Sequence, residues 1–386
     1  MQEIITIFNT SLSRQALRKQ VKGGKLIRLF RGAYVEASSY EGLDLAGKYR
    51  VRAKAFLAIH PKVKAWGVTA AALDGGPVLS TASLHFSARP EYMKSKADGC
   101  HFHLELPPTP VINNHVAQML FECALTSPLP DTLMAAHFIL HRHSTAARKS
   151  MVASREIDGK TTEALVWQPL YGEDHKVSAP SEPSLRKLNA KNIDFLDTYT
   201  AARKTPFSSP AAELFWFDYA QLCVAHNAKR AISKAVRAGL YFTDLPESPA
   251  ESLFVARCVE LGFAVPYLQA NIIDPASGQL LGRVDGLWPS NAVRRNMYQS
   301  DSKYGRYFFS KQHGDQESII VEFDGQLKYT DDYVAALDRE RKRQNAISNL
   351  GYRFVRISWE DLMQVKRLHS ILTQARVPLA DGRRYQ

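Results

Sequence analysis

Cysteine is scarce in this chain, and what there is lies scattered. Cys100, Cys123, Cys223 and Cys258 are the only four in 386 residues, far apart and without a Cys-x-x-Cys pair. That argues against a disulfide framework and leaves reduced packing residues in a cytoplasmic protein as the expectation. Long apolar runs are missing as well. No stretch approaches the ~20 apolar residues of a membrane helix, and the first residues lack a signal peptide's charged-then-apolar order. Neither a membrane partner nor secretion is expected. Acidic side chains are also in deficit, 38 against 50 basic ones, for a net charge of +12. Such an excess favours a polyanionic partner, nucleic acid first, and where the charge sits decides the matter.

The charge is concentrated near the start. Residues 11 to 31 carry seven basic side chains and no acidic one. From Ser13, a suitable N-cap, the spacing predicts a helix with Leu17 and Val21 on one face and Arg14, Arg18, Lys19 and Lys22 towards solvent. Gly23-Gly24 stops it. Lys25 to Val35, with Arg28 and Arg31, then reads as a basic β-hairpin. A basic helix followed by a basic hairpin matches the recognition helix and wing of a winged helix, which would lie along DNA. A solvated basic surface is the plainer alternative.

This stretch resembles the N-terminal winged-helix domain of the AbiEi family, antitoxins of abortive-infection toxin–antitoxin systems. The residues that match are Ser13-Arg14-Gln15, Leu17-Arg18, Gly24-Lys25 and Arg31-Gly32-Ala33-Tyr34-Val35. About a dozen residues precede the helix, so the winged helix is a degenerate one. Val68 to Leu73 and Leu125 to Leu133 resemble the middle region of the same family, where the first covers the wing and the second opens a helix.

Two His-x-His pairs, His101/His103 and His141/His143, lie near Cys100 and supply zinc-ligand residue types. His101, His103 and Glu105 nevertheless alternate with Phe102, Leu104 and Leu106, the pattern of a half-buried strand with its polar face in water. Residues 169 to 186 read as a linker or long loop, and 187 to 240 as helical. There Leu214 to Tyr219 is apolar on nearly all sides, with its aromatics expected in the core.

From Ser248 onward the pattern sharpens. Ser248-Pro249-Ala250-Glu251 is a capping box with proline at the first helical position, and Gly262 ends the helix. Strands are expected over 265–273, 279–288 and 318–327. A helix from Asp331 to Leu350, a strand from Tyr352 to Ile357 and a closing helix from Glu360 to Gln374 follow. Residues 292 to 317 read as a polar insertion that contacts DNA.

Two carboxylates, Asp285 and Glu322, fall on neighbouring strands, with Asp324 two residues beyond the second and Lys328 further on. Phosphodiester hydrolysis needs a hard cation, and Mg²⁺ (or Mn²⁺) takes one or two carboxylates plus waters. A lysine can orient the water or stabilise developing charge. Arg339, Arg341, Lys342 and Arg343, on the helix that follows, are suited to backbone phosphates. The same residues admit plainer roles: Glu251 as the capping carboxylate, Asp324-Gly325 as a turn, Asp285 as the cap of the turn at Gly286.

This region resembles the PD-(D/E)xK nuclease superfamily, in its very-short-patch-repair-endonuclease-like branch. The matching motifs are Ser248 to Glu251, Pro266 with Gln269, Val284-Asp285 with Trp288-Pro289, and Glu322 to Gly325 with Lys328-Tyr329. Glu340 to Arg343, Leu350 to Arg353, Val355-Arg356 and Trp359 to Leu362 complete the match. The resemblance implies Glu251 as the helix carboxylate, Gln269 as a further site residue, and Asp285 and Glu322 as metal ligands. Since Asp324 stands two after Glu322, it puts the motif lysine at Lys328.

The expected organisation is α+β and multi-domain. A degenerate winged helix spans 1–50, a middle α/β domain 51–168, and a linker with a helical segment 169–240. An α/β/α restriction-endonuclease-like domain completes the chain over 241–386. The expected function is metal-dependent cleavage or nicking of DNA in phage defence, a toxin–antitoxin system or repair, with a cognate toxin or defence protein as a further partner. The alternative is an AbiEi-type antitoxin or repressor whose nuclease fold only binds.

Overall fold

Among the described residues, five helices begin at a side-chain cap that the sequence supplies: Ser13, Asp44, Asn114, Ser248 and Ser358 each accept from a first-turn backbone N–H. The computed structural model describes residues 4–79, 83–88, 99–104, 114–157, 160–165, 196, 198–226, 232–290, 293–297, 307–311, 318–323 and 333–381. They divide into two compact units, one drawn mainly from Met1–Ile139 and Phe215–Gly239, the other from Leu140–Gln168 (the end of a long helix and an antiparallel strand pair), Ala202–Leu214 and Leu240–Gln386.

In the first unit, β1 (Ile5–Thr6) precedes α1 (Arg14–Lys22), β2 (Leu26–Phe30) and β3 (Ala33–Glu36). Ser13 caps α1 as expected, its side chain accepting from the Ala16 N–H. The β2–β3 hairpin closes at Gly32, whose φ of 96° is open to glycine at little cost. β1 joins the sheet on the β3 side, in the order β1-β3-β2. Sequence periodicity cannot register a two-residue strand of this kind. Then come α2 (Ala37–Glu41), α3 (Leu45–Ile59), β4 (Lys64–Ala65), α4 (Val68–Leu73), β5 (Leu84–Ala88), β6 (Cys100–Leu104), α5 (His115–Thr126) and α6 (Leu129–Met151).

Phe56 of α3 organises the core, with Phe86 stacked on it at 4.5 Å and Phe30 edge-on at 5.2 Å. β7 (Val152–Ile157) and β8 (Lys160–Leu165) pair antiparallel. α7 (Pro210–Ala225) carries the expected aromatic core, and α8 (Ile232–Gly239) follows it. Trp216 and Tyr219 are buried, and each donates to a backbone carbonyl, of Gly239 and Ala235. The linker expected at 169–186 lies outside the described residues.

The C-terminal part of the second unit holds α9 (Pro249–Leu261), capped by Ser248 and ended by Gly262 in the left-handed conformation. β9 (Tyr267–Ile273), β10 (Leu280–Trp288), β11 (Val293–Met297), β12 (Tyr307–Lys311), β13 (Ile319–Phe323) and β14 (Arg353–Ile357) form one sheet in the order β11-β12-β9-β10-β13-β14. β9, β10 and β13 run antiparallel in turn, and β14 lies parallel to β13. The polar insertion expected at 292–317 therefore contributes two strands. Phe309 fixes them: it is 1% exposed in the apolar cluster of Ala270, Ile272, Val284, Leu287, Ile320 and Ile347.

Ile347 belongs to α10 (Tyr333–Asn349). The closing helix is two helices, α11 (Trp359–Met363) and α12 (Val365–Gln374), broken at Gln364. A capping box between Ser358 and Asp361 starts the first of them. No helix of the described residues is long and apolar enough to cross a membrane.

Candidate active site

Asp285 and Glu322 each lie one residue beyond the last pair of the β10–β13 ladder, Gly286 with Val321. The pair before it is Leu287 with Ile320, so the next positions along the same register are Asp285 and Glu322. Directly opposed residues in an antiparallel pair share a face, with Cβ atoms about 4.5–5.5 Å apart. Gly286 permits this approach: a Cβ there would meet Val321 Cγ1 at 2.7 Å and Pro266 Cγ at 3.0 Å. The ladder ends at this point, and the Asp285 carboxylate takes over by accepting from the Phe323 backbone N–H at 3.0 Å. Burial pushes the Asp285 carboxyl above its ordinary range, against that hydrogen bond and the nearby Arg343 and Arg283.

Glu251 adds a third carboxylate on the same side of the molecule. It is the capping carboxylate of α9, accepting from Ser248 Oγ at 2.7 Å and the Glu247 N–H at 3.0 Å. Gln269 Nε2 also donates to it at 2.7 Å. Burial raises its carboxyl, and the charge of Asp285 raises it further. The capping role and proximity to Asp285 thus coexist in one side chain.

Gln269 has a left-handed backbone, φ 52°, in the middle of β9. Its partner position is Asp285, and the β9–β10 ladder skips that pair. Tyr267 and Ala270, three apart and so on opposite faces of a regular strand, both reach the same apolar cluster. The kink switches faces beside the carboxylates, a departure characteristic of functional sites.

Glu322 is 9% exposed. Its oxygens meet Arg343 Nη2 at 2.5 Å and Arg356 Nη2 at 3.8 Å. Arg343 also donates to both oxygens of Glu340 and to the Arg283 carbonyl. Neither Arg356 nor Glu340 was among the sequence candidates for the catalytic centre; only the tertiary pairing of α10 and β14 with β13 brings them there. Gly282 provides the room, since a Cβ at that position would meet Arg343 Cδ at 2.7 Å.

Asp324 and Lys328 lie outside the described residues. Among those described, no group of three His, Cys, Asp or Glu side chains is set to hold a metal ion. The donor set nevertheless suits a hard divalent cation, which takes one or two carboxylates and completes its shell with water. The two guanidinium groups on Glu322 show that this position already attracts positive charge. Arg339 and Arg341 stand exposed on α10, while Arg343 is turned inward to the carboxylates. The seven N-terminal candidates, Arg14, Arg18, Lys19, Lys22, Lys25, Arg28 and Arg31, are all exposed.

The histidines tell a different story from their sequence pattern. His103 is half-buried, stacked on Trp66 and hydrogen-bonded to His85 at 2.9 Å, while Leu104 is 55% exposed. Burial pushes both imidazoles down to about 4, so they are neutral around pH 7. His85 and His101 line a cavity of about 280 Å³ together with Tyr49, Ser127 and Asp131. None of the candidate carboxylates lines that cavity. Another buried carboxylate, Asp244, is satisfied by Ser208 and Ser209 ahead of α7 and reads as structural. Comparison of the chain with protein-family models, curated proteins and solved structures finds no match.

Proposed function

We propose that the second unit is a divalent-metal-dependent DNA endonuclease of the PD-(D/E)xK type, with Asp285 and Glu322 as the protein ligands of the metal. The observation that supports this reading is the β10–β13 register, which, continued one step beyond its last pair Gly286–Val321, runs to Asp285 and Glu322. Glu251 and the kinked Gln269 stand beside them. A helix, three antiparallel strands, a second helix and a strand parallel to the third support the same reading, as does the matching order of motifs. When bound there, Mg²⁺ or Mn²⁺ supplies polarisation of a phosphate and a lowered pKa for the attacking water. The chain's own share is to orient these ligands. Phe323 fixes Asp285, and the cap of α9 with Gln269 fixes Glu251. The basic α1 and its hairpin are the proposed DNA-holding surface, as a degenerate winged helix in a defence, toxin–antitoxin or repair protein.

The guanidinium pairing of Glu322 favours one second reading, in which the fold binds DNA without cleaving it and the protein acts as an antitoxin or repressor. Cleavage of plasmid and branched DNA with Mn²⁺, and then with EDTA, separates the two. Metal-dependent nicking lost in an Asp285→Ala/Glu322→Ala variant that still shifts DNA on a gel is the expected outcome. Binding without cleavage under any metal hands the protein to the second reading.

A further inference from the structure

One guanidinium fills the ground beside the carboxylates. Arg343 reaches from α10 to Glu322 Oε1 at 2.5 Å, to Glu340 through Nε at 2.8 Å and Nη2 at 2.5 Å, and to the Arg283 carbonyl at 3.2 Å. The last contact brings it next to Asp285 along β10. Glu322 is almost wholly buried, and a buried carboxylate without a countercharge is strongly disfavoured. Arg343 supplies that countercharge at closest range. Arg356 is more distant, at 3.8 Å, and half exposed. Arg343 also has a second seat. Glu340 lies three residues earlier on the same helix and holds the guanidinium through two nitrogens. Leaving Glu322 would cost one ion pair while retaining the forked pairing with Glu340.

We propose that Arg343 is the resident counter-cation of the Glu322–Asp285 carboxylates, and that a divalent cation of the Mg²⁺/Mn²⁺ class displaces it from Glu322 onto Glu340. The inference rests on the reading of Asp285 and Glu322 as metal ligands. It makes Arg343 a positioning residue that competes with the metal, in place of the phosphate-binding role its sequence position suggests. Arginine and the metal then alternate at one carboxylate, and the apparent metal affinity of the intact chain is lowered by that competition.

The test is Mn²⁺ binding by the full chain after stripping with EDTA, followed by calorimetry and by thermal melting. Wild type, Arg343→Gln, Arg343→Lys and Asp285→Ala/Arg343→Gln are compared. Arg343→Gln should bind Mn²⁺ roughly fivefold tighter than wild type, the equivalent of one lost ion pair. It should also melt lower than wild type in EDTA and recover when Mn²⁺ is added. The Asp285→Ala/Arg343→Gln chain should lose the gain. Arg343→Lys keeps a charge without the fork, guards against a glutamine variant that fails to fold, and should fall between the two. Equal Mn²⁺ affinity in wild type, Arg343→Lys and Arg343→Gln overturns the inference while leaving the metal site standing. No Mn²⁺ binding by any of the chains overturns both.

Discussion

Asp218 shows what one side chain can contribute to the pH response. It lies on α7, and Asn114 Nδ2 donates to its Oδ2 at 2.6 Å while Asn114 Oδ1 caps α5. Burial pushes the Asp218 carboxyl up to about 6, more than the Asn114 hydrogen bond can offset. A carboxyl raised on folding favours the protonated native state. Its contribution is complete below the unfolded value near 4 and is lost as pH rises through about 6. Above that, the folded chain carries a charge it disfavours. Asp218→Asn retains an acceptor for Asn114 and removes the charge. Urea unfolding should therefore show the variant more stable than wild type near pH 8, by about 2–3 kcal/mol. The difference should vanish near pH 4, and a pH-independent difference would refute the assignment. Nothing in the sequence marks Asp218 out, because its shift comes from burial that only the packing of α7 creates. The capping residues were legible for the opposite reason. Ser248, Pro249 and Gly262 act within their own helix, so their local order is enough to place them.

At the scale of elements, β9 departs most from a regular strand. A non-glycine residue held left-handed costs on the order of 1–2 kcal/mol, and Gln269 bears that cost inside the sheet. Gln269→Gly should relieve the strain and lose the tether to Glu251, whereas Gln269→Ala loses the tether and keeps the strain. Thermal melting should therefore place the alanine variant below the glycine variant by about 1 kcal/mol. The reverse order would show that the kink is imposed without strain. The kink was not readable, since Tyr267 to Ile273 is apolar enough to pass for a continuous buried strand. The β11–β12 hairpin was hidden by the opposite pattern. Arg294, Arg295 and Asn296 look like loop composition, and the strand identity depends on pairing with β9, which no local window contains. Likewise, the break between α11 and α12 falls at Gln364, where apolar periodicity runs on from Leu362 to Leu368 and conceals the change of direction.

Across the whole molecule, charge separates into two jobs. The exposed Arg14, Arg18 and Lys22 face water, whereas Arg343 and Arg356 balance Glu322 inside the second unit. If the first group meets phosphates, Arg14→Glu/Arg18→Glu/Lys22→Glu should weaken DNA binding and flatten its log–log salt dependence by about 3. The Asp285→Ala/Glu322→Ala chain should keep the wild-type slope. Fluorescence anisotropy over a salt series measures both, and an unchanged slope in the triple variant would rule out α1 as the DNA-holding surface. The basic surface and the carboxylate motifs were both visible in the sequence, but the arginine lock on Glu322 was not, because α10 and β13 meet only in the folded chain. Gly282 carries that lock's least visible dependence. A methyl group there would press on Arg343 Cδ, and a flexible arginine gives way before a strand does. If the proposed metal site exists, a library selected for tight Mn²⁺ binding would thus return Gly282→Ala alongside Arg343→Gln: a substitution without charge or donor atoms, acting on the carboxylates only through occupied space.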